Sequence, residues 1–146
     1  MNRDAFRTVV KAAITYDGQV LIGQKEAVDD HPIGGEWHLL GGHLAFNEDV
    51  EAATRREVEE ETGLDVTVES LIDVMTFAWG ADDEKNSLQI LSHCRAETTD
   101  AVAADDLQAV QWVDPDELTA YLTAEEAERV RTRQRQRVFF DSLSEQ

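Results

Sequence analysis

The sequence holds a single cysteine, Cys94, so no internal disulfide can close. Its prolines are only Pro32 and Pro115, and its lysines only Lys11, Lys25 and Lys85. No apolar run approaches the roughly 20 residues that a membrane-spanning helix needs. The first residues, Met1 to Phe6, lack the apolar stretch of a secretory signal, and a soluble cytoplasmic protein is expected. The histidines, His31, His38, His43 and His93, are too scattered for a zinc site. Basic residues are scarce: 13 Lys and Arg stand against 31 Asp and Glu, a net charge of −18. That excess argues against bulk nucleic acid and anionic membrane surfaces as partners. The acids are dispersed rather than blocked, as on a solvated surface adapted to high salt, where screening removes self-repulsion.

The 146 residues suit one domain, 1–146, with no repeat or linker to divide it. Thr8 to Tyr16 and Gln19 to Gln24 read as strands joined by Asp17-Gly18, a two-residue hairpin turn. Asp29 to Gly35 is a loop, and Trp37 to Leu40 a short strand ending at Gly41-Gly42. A helix follows, with Asp49 as its N-cap and Gly63 as its left-handed terminator. Leu64 to Trp79, Ser87 to Ala96 and Ala109 to Val113 are strand-like, with a charged turn at Gly80 to Asn86 and an acidic loop at Glu97 to Asp106. Asp114-Pro115 opens a short helix, and Ala124 to Leu143 forms a longer one. Strands grouped around a few helices predict an α+β or layered α/β domain.

On a helical wheel from Val50, the residues Val50, Ala53, Glu57, Glu60 and Glu61 form one stripe, with Arg55 and Glu59 on the far side. Three carboxylates on a body-facing stripe repel one another and resist desolvation. A hard divalent cation relieves both, which predicts a metal site; Mg²⁺ suits oxygen ligands and keeps waters for chemistry. Clustering alone is equally compatible with a solvated glutamate face. The wider pattern decides. Gly42, five residues, Glu48, seven residues, then Arg56-Glu57-Val58-Glu59-Glu60-Glu61-Thr62-Gly63-Leu64 resembles the Nudix hydrolase signature at nine fixed positions within 23 residues. Trp37-His38-Leu39-Leu40-Gly41-Gly42 is similar to the segment leading into that signature, and Trp112-Val113 with Asp114 to Leu118 to the closing strand and helix. Leu40 departs from the pattern, standing where the family usually has proline, and is expected to loosen the approach to Gly41-Gly42.

The resemblance implies an α/β/α sandwich, a mixed β-sheet flanked by helices, with a loop–helix–loop active site. It implies that Glu57, Glu60 and Glu61, with the Gly42 carbonyl nearby, hold Mg²⁺, or alternatively Mn²⁺. It implies that Arg56 pairs with Glu48 and orients the catalytic carboxylates. For the general base, Glu57 or Glu60 is preferred over the loop acids Asp82, Asp83, Glu84, Glu97, Asp100, Asp105 and Asp106. The expected reaction is cleavage of the pyrophosphate link in a nucleoside diphosphate joined to another group. Gly41-Gly42-His43-Leu44-Ala45-Phe46 is similar to a stretch in members acting on nucleoside triphosphates, which suggests a (deoxy)nucleoside triphosphate. Gly41, His43, Trp37 and Phe77 are the expected substrate contacts, Trp37, Phe77 and Trp79 being aromatic enough either to stack on a base or to fill core. The alternatives are an ADP-ribose or nucleotide-sugar pyrophosphatase, and a nucleotide-binding domain without turnover. Arg129, Arg131, Arg133, Arg135 and Arg137 spread around the last helix, favouring pairs with nearby acids over a phosphate stripe; a homodimer contact there stays open.

Overall fold

The computed structural model describes residues 6–26, 35–79, 85–124 and 126–130. Among these, the strands form one mixed sheet of seven, with β1 (Phe6–Tyr16) in its middle. Asp17 (φ 49°) and Gly18 (φ 80°) both take positive φ, so the predicted Asp-Gly turn matches the twist between β1 and β2 (Gln19–Lys25). The edge of β1 is then divided: Ile14 to Tyr16 pair with β2, while Val9 to Ala12 pair antiparallel with β4 (Leu40–His43). On its other edge β1 runs parallel to β6 (Lys85–Ala96), from Phe6 beside Asn86 to Thr15 beside Arg95. Strand β2 likewise turns from β1 to β3 (Trp37–His38) and carries β7 (Leu107–Val113) along its far side. At this fork a Cβ on Gly23 would lie 2.7 Å from Leu40 Cδ2 and 2.9 Å from Leu107 Cδ1, so a larger residue would have to displace these packed leucines. Strand β5 (Val66–Trp79) pairs with β6 through two register shifts.

The predicted strand at Trp37 to Leu40 is in fact two. It breaks at Leu39, where the chain passes from one partner strand to another, and β4 continues through both glycines to His43. Gly41 permits this because a Cβ there would run into the Val10 carbonyl. Leu40 does not loosen the segment: it is buried and pairs with Ala12.

The helix α1 (Val50–Thr62) starts where Asp49 accepts from Ala52 N at 3.3 Å and stops where Gly63 (φ 76°) donates to Glu59 O at 2.8 Å. Its buried residues are Ala53, Thr54, Val58, Glu61 and Thr62. The predicted inward stripe is therefore rotated: Val50 is only partly covered and Glu60 is exposed. Thr54 and Thr62 can lie on the core side because each hydroxyl donates back to its own helix, to Val50 O (2.8 Å) and Val58 O (2.7 Å).

Two apolar clusters sandwich the sheet. Val58 packs with Ala12, Ile14, Leu21, Leu40 and Cys94 on the α1 side. On the other side Ala13, Ile22, Leu39 and Leu91 meet Leu118, Leu122, Ala127 and Val130. Truncating one of these buried aliphatics to alanine costs about 2–5 kcal/mol. The helix predicted after Asp114 is a 3-10 turn, Pro115–Ala120, and residues 126–130 are helical, so the expected flanking by helices is met. No helix among the described residues is long and apolar enough to cross a membrane. The rest of the predicted last helix, with Arg131, Arg133, Arg135 and Arg137, lies outside the described residues, as do most of the two loops at 29–35 and 80–86 and the side chains of Phe77 and Trp79. Arg129 reaches an acid of the sheet, Asp73, at 3.4 Å.

Candidate active site

One guanidinium organises the exposed end of the site. Arg56 grips Glu48 with two parallel bonds, Nε to Oε2 at 2.7 Å and Nη2 to Oε1 at 2.9 Å. Its remaining Nη1 donates to Glu57 Oε1 (3.1 Å) and Glu60 Oε2 (3.2 Å), and Nη2 also reaches His43 O at 3.2 Å. A planar fork with five donors can clamp one acid with two parallel bonds and still reach two others; a three-donor ammonium has no such paired grip. Glu48 is delivered by a tight turn in which its own N–H donates to Ala45 O (3.1 Å) and its Oε1 accepts from Ala45 N (3.1 Å). Asn47, with φ 62°, supplies the left-handed residue this turn needs. The Arg56 bonds, then the Ala45 N–H, hold the Glu48 carboxyl down at about 2, and the same pairing raises Arg56.

Glu57 lies directly over Gly42, where a Cβ would come within 2.5 Å of its carboxyl group. The glycine is thus a cradle that leaves the Glu57 carboxylate room against the backbone. Burial raises the pKa of Glu57, against the lowering effect of Arg56, and Glu60 and Asp105 add to the rise.

Glu61 is held differently. Its side chain is 2% exposed; Oε1 accepts from Gly41 N at 2.9 Å and Oε2 faces Lys25 Nζ at 3.4 Å. Lys25 makes a closer pair with Asp106, at 2.7 Å. Burial raises Glu61, while for Lys25 the bonds to Asp106 and Glu61 outweigh burial and raise its pKa too. The acidic loop before β7 is laid along this end of α1 by Val102 N to Thr62 O (3.0 Å) and Ala104 N to Glu61 O (2.9 Å).

The residues named from sequence are thus partly gathered. Gly41, Gly42, His43, Glu48, Arg56, Glu57, Glu60 and Glu61 are in one contiguous set of contacts. Glu59 is exposed. Trp37 is elsewhere, edge-on to Tyr121 (centroids 5.6 Å apart, planes at 78°) beside the cluster on the face away from α1. Phe77 has no described side chain. Lys25, and Asp106 as its partner, went unrecognised; no spacing rule links Lys25 to a glutamate 36 positions away. Arg7 was missed too, though its Nη1 lies 3.3 Å from His43 Nε2 at the exposed end of β4.

Among the described residues no three acidic, histidine or cysteine side chains converge as a ready-made cage. The donor set still fits a hard cation. The carboxylates gathered beside Gly42 offer oxygen donors, burial already disfavours charge on Glu57 and Glu61, and Mg²⁺ or Mn²⁺ needs few protein carboxylates because it keeps water ligands.

Residues 5–134 match the family model described as NUDIX domain. The chain is 32% identical over 123 residues to a nucleoside triphosphatase NudI from Salmonella agona, covering 79% of this chain and 86% of that protein. Among solved structures it resembles a MutT NUDIX hydrolase from Burkholderia pseudomallei (26% identity, TM-score 0.70, 86% of this chain and 96% of the other). A MutT protein from Methanosarcina mazei shares the fold, with TM-score 0.78 at 21% identity over 90% of this chain and 95% of the other.

Proposed function

Because the chain belongs to the NUDIX family of hydrolases, we propose that it cleaves, with a divalent cation, the pyrophosphate bond of a nucleoside triphosphate. The observation that carries this is the Arg56 fork, which gathers Glu48, Glu57 and Glu60 beside the Gly42 cradle. Glu57 and Glu60, with Glu61 and the Gly42 carbonyl, are the residues to hold Mg²⁺ or Mn²⁺. When bound there, such an ion would supply charge to neutralise pyrophosphate oxygens and to lower the pKa of water. Arg56 fixes the carboxylates in place and keeps them from repelling one another. Glu57, half enclosed beside Gly42, is our choice for the group that takes a proton from water. We assign His43, at the exposed end of β4 beside Arg7, to contact with substrate phosphate.

The triphosphate is favoured over ADP-ribose or a nucleotide sugar by the Gly41-to-Phe46 stretch and by the NudI relative, a nucleoside triphosphatase. A panel of nucleoside triphosphates, ADP-ribose, dinucleoside polyphosphates and nucleotide sugars, each with Mg²⁺ or Mn²⁺, tests it. Nucleoside monophosphate with pyrophosphate is the expected product pair. Faster release of AMP and ribose phosphate from ADP-ribose would reassign the substrate, and tight binding without turnover would make the chain a sensor domain. The panel belongs in both dilute buffer and multimolar KCl, since the acidic excess predicts better-retained structure in salt. Identical circular dichroism in the two would count against halophilic adaptation.

A further inference from the structure

Lys11 is a buried cation that the chemistry above does not use. The residue as a whole is partly covered, but its ammonium lies deep among protein atoms, and desolvation lowers its pKa. Strand alternation places it on the sheet face opposite α1: Ala12 and Ile14 pack with Val58, whereas Ala13 packs with Leu122 and Ala127. There Lys11 Nζ donates to Leu39 O at 3.1 Å. The N–H of the same residue, Leu39, points to Glu126 Oε1 at 3.4 Å, an acid of the helical residues 126–130.

Leu39 is the point where the chain leaves β2 for β1, so its peptide groups fall between two ladders. Buried backbone groups there need partners from side chains. Two residues on, Gly41 N is held from the α1 side by Glu61. The segment carrying Gly42 is therefore gripped from both faces of the sheet. We propose that Lys11 and Glu126 are positioning residues, which hold the Leu39 peptide and through it set Gly41 and Gly42 against the carboxylates of α1. The helical segment at 126–130 thereby joins the active site without touching substrate. This rests on the metal-dependent hydrolase assignment above.

The test is Lys11→Met, together with the double variant Lys11→Met/Glu126→Gln, which removes both opposite charges and keeps an acceptor for Leu39 N. Mn²⁺ affinity by electron paramagnetic resonance, kcat and KM measured separately, and thermal unfolding are the readouts. In both variants Mn²⁺ Kd is expected to rise about tenfold and kcat to fall about tenfold, with KM changing less. Melting temperature should recover in the double variant while Mn²⁺ affinity and kcat do not. Values within about twofold of the parent in either folded variant overturn the proposal. So does recovery of all three properties together, the mark of a role in stability alone. If Lys11→Met does not fold, the double variant decides. A parent protein that neither binds Mn²⁺ nor turns over any nucleotide refutes the hydrolase assignment instead.

Discussion

Glu57 and Glu61 sit one turn apart on α1, yet the protein neutralises them by different means. Glu57 shares Arg56, a partly exposed guanidinium, with Glu48 and Glu60. Glu61 is enclosed and tied to a backbone N–H and to Lys25. A carboxylate whose cation is divided among three acids can change partners at little cost. One that satisfies a buried peptide cannot. Under the proposed function, the difference separates a reacting end of the helix, at Glu57, from an anchored end, at Glu61.

The sharpest way to break that comparison is Glu57→Gln, expected to lower kcat by about a thousandfold while leaving the melting temperature unchanged or higher. A steady-state assay with thermal unfolding checks both; near-normal turnover would remove Glu57 from the reacting end. Arg56→Lys comes next, because it replaces the fork with a point charge. A loss of about 10- to 100-fold in kcat/KM is expected, and a smaller loss would mean that simple charge suffices.

At the anchored end, Glu61→Ala leaves Gly41 N–H without its acceptor and should cost about 1–3 kcal/mol in urea unfolding. Glu61→Gln keeps that acceptor and should cost less. Because Glu61 is also among the proposed metal ligands, Glu61→Gln should lose some Mn²⁺ affinity; a loss as strong as that of Glu57→Gln would put both carboxylates at the reacting end.

The smallest effect is on pH dependence in the cation-free protein. Burial raises Glu57 and Glu61, so each weakens the fold at neutral pH and is relieved as pH falls through its folded pKa toward the ordinary 4.5. Glu48 acts oppositely: its contribution is complete above about 4.5 and is lost as pH falls toward about 2. Stability should therefore rise slightly and then fall on acidification. Glu48→Gln should flatten the acid limb, and an unchanged limb would show that the Arg56 pair carries little stability.

Much of this arrangement was legible because it is local. Asp17-Gly18, the Asp49 cap and Gly63 each act within one turn or one helix, and the spacing from Gly42 to Leu64 spans one strand end, loop and helix in sequence. The wheel's inward stripe was off by a fraction of a turn: it left out Thr54 and Thr62, whose hydroxyls bond back to the helix and let them face the core. What stayed hidden depends on register between distant strands: the parallel pairing of β1 with β6, the break at Leu39, and the contacts of Lys25 with Glu61 and Lys11 with Leu39. Trp37 was ambiguous between stacking and core, and only its packing against Tyr121 places it.

The parallel pairing of β1 and β6 also bears on how the chain is made. On a ribosome β1 and β2 emerge early and can close their hairpin at once, and the segment from Gly42 to Leu64 follows soon after. One edge of β1, however, waits for residues 85–96, and β2 waits for 107–113. Until then the glutamate-rich helix has only part of the platform on which it is to rest. Such long-range closure slows folding and prolongs exposure of unpaired strand edges. The like charge spread over the nascent chain would then keep neighbouring copies apart during that interval.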